Sequence, residues 1–193
     1  FHGIASRMNA SHADFVFLPM MRSGKFTKNE EYAAICPVVQ SSADLFRHDL
    51  AMDPARILSP VIDLGPGNIR STAFIHSCKK LAESLHADNF EEAFDVASIE
   101  FLRFEDDLKT MGRMAINFAK TNHIPTIVVL GRNYTIHNTA LNSNVPALLR
   151  TQGAMAIPVD CYPVDNDEPL YTNTYWSYGQ INLRAATQVR KTD

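Results

Sequence analysis

Two periods recur in the apolar positions of this chain. Thr126-Ile127-Val128-Val129-Leu130, preceded by Pro125 and closed by Gly131, is a β-branched run that predicts a strand buried on both faces. A polar loop follows over 132–144. Pro146 suits a first helical turn, where a missing N–H has no partner to lose. Ala147 to Arg150 continue a short helix, Gly153 is placed to end it, and Ala154 to Val159 form the next apolar run. Strand, loop, helix, strand is a crossover, expected to be right-handed with its strands parallel. Ligands of such sheets collect where strands end at their carboxyl edge, which makes the loop from Gly131 to Asn144 the first place to look for chemistry.

The second period is helical. Phe90, Phe94, Ala97, Phe101, Phe104, Leu108, Met111, Ala115 and Phe118 recur at alternating steps of four and three, predicting a long helix over 89–122. Asp88 or Asn89 can cap it, Glu91 and Glu92 suit its positive end, and Gly112 is the expected place for a break. The stripe reads as core packing across two lobes. A partner-binding coiled coil is the other reading, with aromatic residues unusual at its seam positions.

The remaining elements are shorter. Phe1 to Ala10 read as the tail of a helix, and Phe15 to Leu18 as a strand whose ladder Pro19 ends. A polar loop spans 20–32. Ile35 to Val39 read as a short strand with Cys36 at a proline-constrained turn. Ser41 to Asp44 begin a helix, Pro54 breaks it, and Ile57 to Ile62 form a further strand. Leu64 to Asn68 are a turn, before a helix that Ser71 or Thr72 caps and that runs to about Leu85. The glycines of that turn lack both the GxGxxG and the Walker spacing, so it reads as a plain loop. Residues 165–173 form an acidic loop, and a last helix runs from Gln180 to Lys191. The chain is thus expected to be α/β, with a first lobe over 1–87, a second over 88–193, and the long helix bridging them.

Composition narrows the function classes. Hydrophobic residues make up 46% and charged residues 20%, enough for a real core. A formal net charge of −3 gives no electrostatic case for nucleic acid. No apolar run approaches the ~20 residues that span a bilayer, and no signal peptide is visible, so the expected setting is cytoplasmic, without membrane. The three cysteines, Cys36, Cys78 and Cys161, show no paired spacing and argue against a disulfide framework. A chain that opens on Phe1 reads as a piece of something longer.

Cys36 has the best local context for a metal. A thiolate between an apolar segment and a proline, near a strand end, suits iron or another soft metal, whereas a buried small hydrophobe is its structural alternative. Cys161, after the strand ending at Asp160, carries the same two readings, and Cys78 reads as structural. Arg132 at a strand end suits bidentate clamping of an anion, or an exposed ion pair. His137 is the one histidine worth testing, because no histidine pair has the spacing of a zinc site. No GxSxG elbow is present.

Several segments together resemble a known family. Ile35-Cys36-Pro37-Val38-Val39, then Gly131-Arg132-Asn133-Tyr134 with Asn142 and Pro146, and Tyr175-Trp176-Ser177-Tyr178 with Arg184-Ala185-Ala186, are similar to segments of the CoA-substrate-specific enzyme activase-related proteins. These are relatives of the 2-hydroxyacyl-CoA dehydratase and benzoyl-CoA reductase subunits. The resemblance implies two flavodoxin-like (Rossmann-like) lobes with parallel sheets. It also implies a 4Fe-4S iron–sulfur cluster in the intact protein, absent or incomplete in this piece, with Cys36 matching the family's Cys-Pro segment; Cys161 is a candidate ligand from its place at a sheet edge. Phe1-His2-Gly3 resembles the end of a Cys-Pro…His-Gly segment whose cysteine would precede the chain. Gly131, Arg132, Tyr134 and Asn142 are the implied ligand-binding residues. An acyl-CoA substrate and a redox partner or ATP-dependent activator are the implied partners, serving low-potential electron transfer or dehydration. A non-catalytic assembly or small-ligand-binding domain is the alternative.

Overall fold

Two prolines facing each other shape the first sheet. In the computed structural model, which describes residues 2–192, β1 (Val16–Phe17) pairs in parallel with β3 (Ile57–Leu58), and β2 (Met20–Met21) with β4 (Val61–Ile62). Val16 lies beside Ile57 and Met20 beside Val61, so one register runs through both pairs and sets Pro19 beside Pro60. Neither proline has an N–H to give, and the ladder lapses at that rung. It then resumes: the Met20 N–H donates to the Pro60 carbonyl at 2.9 Å and the Arg22 N–H to that of Ile62 at 2.8 Å. Pro19 therefore interrupts the strand instead of ending it, and Met20 and Met21 belong to the sheet, not to a loop.

The chain divides into two units, Phe1–Phe94 and Asp95–Asp193. Sequence readings that include Phe1 or Asp193 lie outside the described residues at those two positions. In the first unit, α1 (His2–Asn9) and α3 (Ser42–Asp49) cover the strands, and Ala5, Val16, Phe46 and Met52 form the core. The segment expected as a strand over 35–39 is instead a helical turn, α2 (Pro37–Gln40), with Cys36 at its N-cap. The fixed φ of Pro37 presets a first turn and prevails over the strand preference of Val38 and Val39. α4 (Thr72–Ser84) starts where Ser71 Oγ accepts from the Phe74 N–H at 3.0 Å.

α5 (Phe90–Thr121) runs unbroken for 32 residues, or ~48 Å at 1.5 Å each. Gly112 does not break it. That glycine is buried, and a Cβ there would stand 1.9 Å from the carbonyl oxygen of Cys161. The buried face follows Leu108, Gly112, Ala115, Ile116 and Ala119, not the whole aromatic stripe. Phe104, Met111, Met114 and Phe118 stay more than half exposed. Small side chains let the helix come close to its neighbour, so they are buried ahead of larger residues on the adjoining face.

In the second unit β5 (Thr126–Val129) pairs in parallel with β6 (Met155–Pro158), Thr126 beside Met155 and Val129 beside Pro158. Between them lie a one-turn helix, α6 (Asn133–Ile136), inside the expected loop, and α7 (Val145–Thr151), with Gly153 at φ 76° beyond its end. α8 (Ser177–Lys191) starts three residues ahead of the expected Gln180. Ile136, Ile157, Val159, Cys161, Tyr162 and Ala185 make the core. The stretch 165–171 is tied to α8: buried Arg184 donates to the carbonyls of Asp165, Asn166 and Glu168 at 2.8, 3.3 and 3.0 Å. The chain is thus α/β, built on short parallel strand pairs with eight α-helices among the described residues. None of those helices is long and apolar enough to cross a membrane.

Candidate functional site

The carboxyl ends of β5 and β6 bring most of the singled-out loop residues into one place. β5 gives way at Leu130 to Gly131, whose N–H donates to Asn182 Oδ1 at 3.0 Å and whose carbonyl accepts from Asn182 Nδ2 at 3.4 Å. This amide of α8 fixes the path of the chain as it leaves the strand. A Cβ on Gly131 would meet Ile136 Cγ2 at 2.6 Å, so the tight return into α6 requires glycine. Arg132 is the N-cap of α6. Its guanidinium donates to the Tyr134 hydroxyl at 2.6 Å and sits 6.0 Å from the ring centroid. Asn142 spends its amide on the loop itself, donating to the Ile136 carbonyl at 2.6 Å and accepting from the Asn144 N–H at 2.8 Å.

From the neighbouring strand end comes Asp160. Its Oδ2 lies 2.8 Å from His137 Nε2, and its side chain is 17% exposed against 47% for the histidine. Asp160 Oδ1 is buried without a hydrogen-bond partner among the described residues. Tyr178, near the start of α8, completes the group. Burial, then the neighbouring Tyr134, raise its hydroxyl above the ordinary phenol range; Arg132 opposes the shift and Asp160 adds to it. The cluster therefore offers a cation, two hydroxyls and a carboxylate–imidazole pair at one sheet edge. Asp160 and Asn182 were not singled out from the sequence, and Tyr178 entered only within the Tyr175–Tyr178 segment of the resemblance, although Asp160 was legible as the first polar residue after the apolar run ending at Val159.

Cys36 lies half-buried in the first unit, and Cys161 in the second, packed under α5. Burial and the adjacent Asp160 charge raise the Cys161 thiol, with Lys109 pulling the other way; burial alone raises that of Cys78. Both favour the protonated thiol, whereas a metal ligand is a thiolate. Among the described residues no three His, Cys, Asp or Glu side chains gather as a metal site. A four-iron cluster takes about four thiolates, and the three cysteines of this sequence do not by themselves supply them.

No curated protein and no solved structure matches the chain. A family model does, over residues 1–162, reaching from α1 through both strand pairs of the first unit, the long helix, and the whole β5–β6 crossover with Asp160. The chain belongs to the family described as the CoA enzyme activase uncharacterised domain.

Proposed function

We propose that the chain serves a CoA enzyme activase-related protein as a ligand-binding α/β module, each unit being part of a flavodoxin-like lobe, with its site at the carboxyl edge of β5 and β6. One observation carries the reading: His137 and Asp160, from the loops after two adjacent parallel strands, meet at 2.8 Å while the second carboxylate oxygen has no partner among the described residues. A carboxylate that holds one ring nitrogen orients the imidazole and leaves the other free to exchange a proton with a bound group. Arg132, steadied by Tyr134, supplies the charge for a carboxylate or phosphoryl oxygen, and the Tyr178 hydroxyl stays a donor. The ligand is a small anionic acyl or phosphoryl group.

The test is an NMR titration of the His137 ring and of Trp176 with acetate, pyrophosphate and acetyl-CoA. A saturable shift with one of them, lost in Arg132→Met and in Asp160→Asn, supports the site. Flat titrations at millimolar probe reject it.

A second reading rests on Cys36. Its thiol is half-buried at a proline-led turn, while the other two thiols are held protonated by burial. In this reading Cys36 is one ligand of a 4Fe-4S cluster completed by thiolates elsewhere in a longer protein. That protein would act in dehydratase-like electron transfer, with an acyl-CoA substrate and an ATP-dependent activator as redox partner. Three cysteines without a disulfide among the described residues suit the reducing cytoplasm. Anaerobic purification of the longer parent decides it: iron and acid-labile sulfide that are lost in Cys36→Ala support the cluster, and a colourless, iron-free parent ends it.

A further inference from the structure

A second concave site lies in the first unit. The edge of β3 and β4 and one face of α4 enclose a cleft of about 580 Å³, within the 300–1,000 Å³ range of small-molecule sites. Leu58, Val61 and Leu81 give it an apolar wall. Three nitrogen side chains line it, Arg22, His76 and Lys80, against one carboxylate, Asp63. That carboxylate is already engaged. Its Oδ1 accepts from Ser23 Oγ at 2.6 Å and from the Gly65 N–H at 3.2 Å, and Arg22 approaches Oδ2 at 3.6 Å. His76 and Lys80, one turn apart on α4, have no carboxylate partner among the described residues. Ser59, also in the lining, has its Oγ buried with no hydrogen-bond partner among the described residues.

We propose that this cleft binds a phosphorylated small molecule with an apolar or flat body. The phosphate lies against Lys80, His76 and Arg22, and the body lies on the Leu58, Val61 and Leu81 wall. An excess of cations over accessible carboxylates selects an anion. An apolar wall beside that charge selects an amphiphilic anion over a bare ion.

The experiment uses the 193-residue chain, with calorimetric and amide-NMR titrations of pyrophosphate, ATP and CoA. We expect saturable binding of a nucleotide probe tighter than that of pyrophosphate, with amide shifts at Ser59 and Lys80. Lys80→Glu and His76→Glu, both at exposed positions of α4, each weaken binding at least ~tenfold with unchanged helix content. Lys79→Glu, next to the lining but outside it, leaves binding as it was. Three results overturn the proposal: no saturable binding, equal weakening by Lys79→Glu, or shifts confined to His137 and Tyr178 of the other unit.

Discussion

Gly112→Ala sets two effects against each other with opposite signs. In a helix interior alanine is favoured over glycine by ~1 kcal/mol, so on propensity alone the variant is more stable. The added Cβ, however, falls 1.9 Å from the Cys161 carbonyl oxygen and 2.7 Å from its carbon. An ordinary carbon–oxygen contact needs ~3.3 Å, so the helix and the 161 backbone must part by more than ~1 Å. The obstacle is backbone and cannot rotate away, which puts the cost at the upper end of the ~1–3 kcal/mol of overpacking. The net expectation is a loss of ~2 kcal/mol in the second unit. Trp176, the one tryptophan, lies in that unit and reports its urea unfolding by fluorescence. Asn117→Ala, exposed on the same helix, isolates propensity and should gain up to ~0.7 kcal/mol. If Gly112→Ala unfolds at the wild-type urea midpoint or above it, the close approach to Cys161 is not what fixes this glycine.

Two further outcomes follow from the same unit. Arg184→Met leaves three backbone carbonyls without their charged donor and should cost ~3 kcal/mol in the Trp176 urea transition; a change under ~0.5 kcal/mol means that those carbonyls reach water instead. Burial raises the Cys161 thiol and the Tyr178 hydroxyl, so the unfolded chain releases both protons at lower pH than the native one. Stability is then whole below about pH 8 and falls as pH rises through the native pKa values of the two groups. Urea midpoints measured across that alkaline range should decline, less steeply in Cys161→Ser, and a flat or rising profile refutes the assignment.

The long helix and the β5–β6 crossover were legible because each is a local pattern: a stepping of three and four, and a β-branched run between proline and glycine. What the pattern could not show was which helix face would be buried. Hydrophobicity marks Phe104, Met111 and Phe118, whereas close packing chose Gly112 and Ala119, residues that carry almost no hydrophobic signal. Cys36 was misplaced on a strand because Val38 and Val39 favour strand locally, while Pro37 acts on the one backbone angle that starts a helical turn. At the candidate site, the stretch from Gly131 to His137 could be placed at a strand end from sequence alone. The partner of His137 is 23 residues away, and its pairing depends on the parallel register of the two strands, which no local window contains.

Met111 and Met114 stand side by side on the outward face of α5, each more than three-fifths exposed. Thioethers in such a position are open to peroxide, and sulfoxidation turns a flexible apolar surface into a polar one. That ridge is therefore chemically perishable: peroxide would make it polar while leaving the buried side at Gly112 and Ala119 untouched, and methionine sulfoxide reductases would restore it.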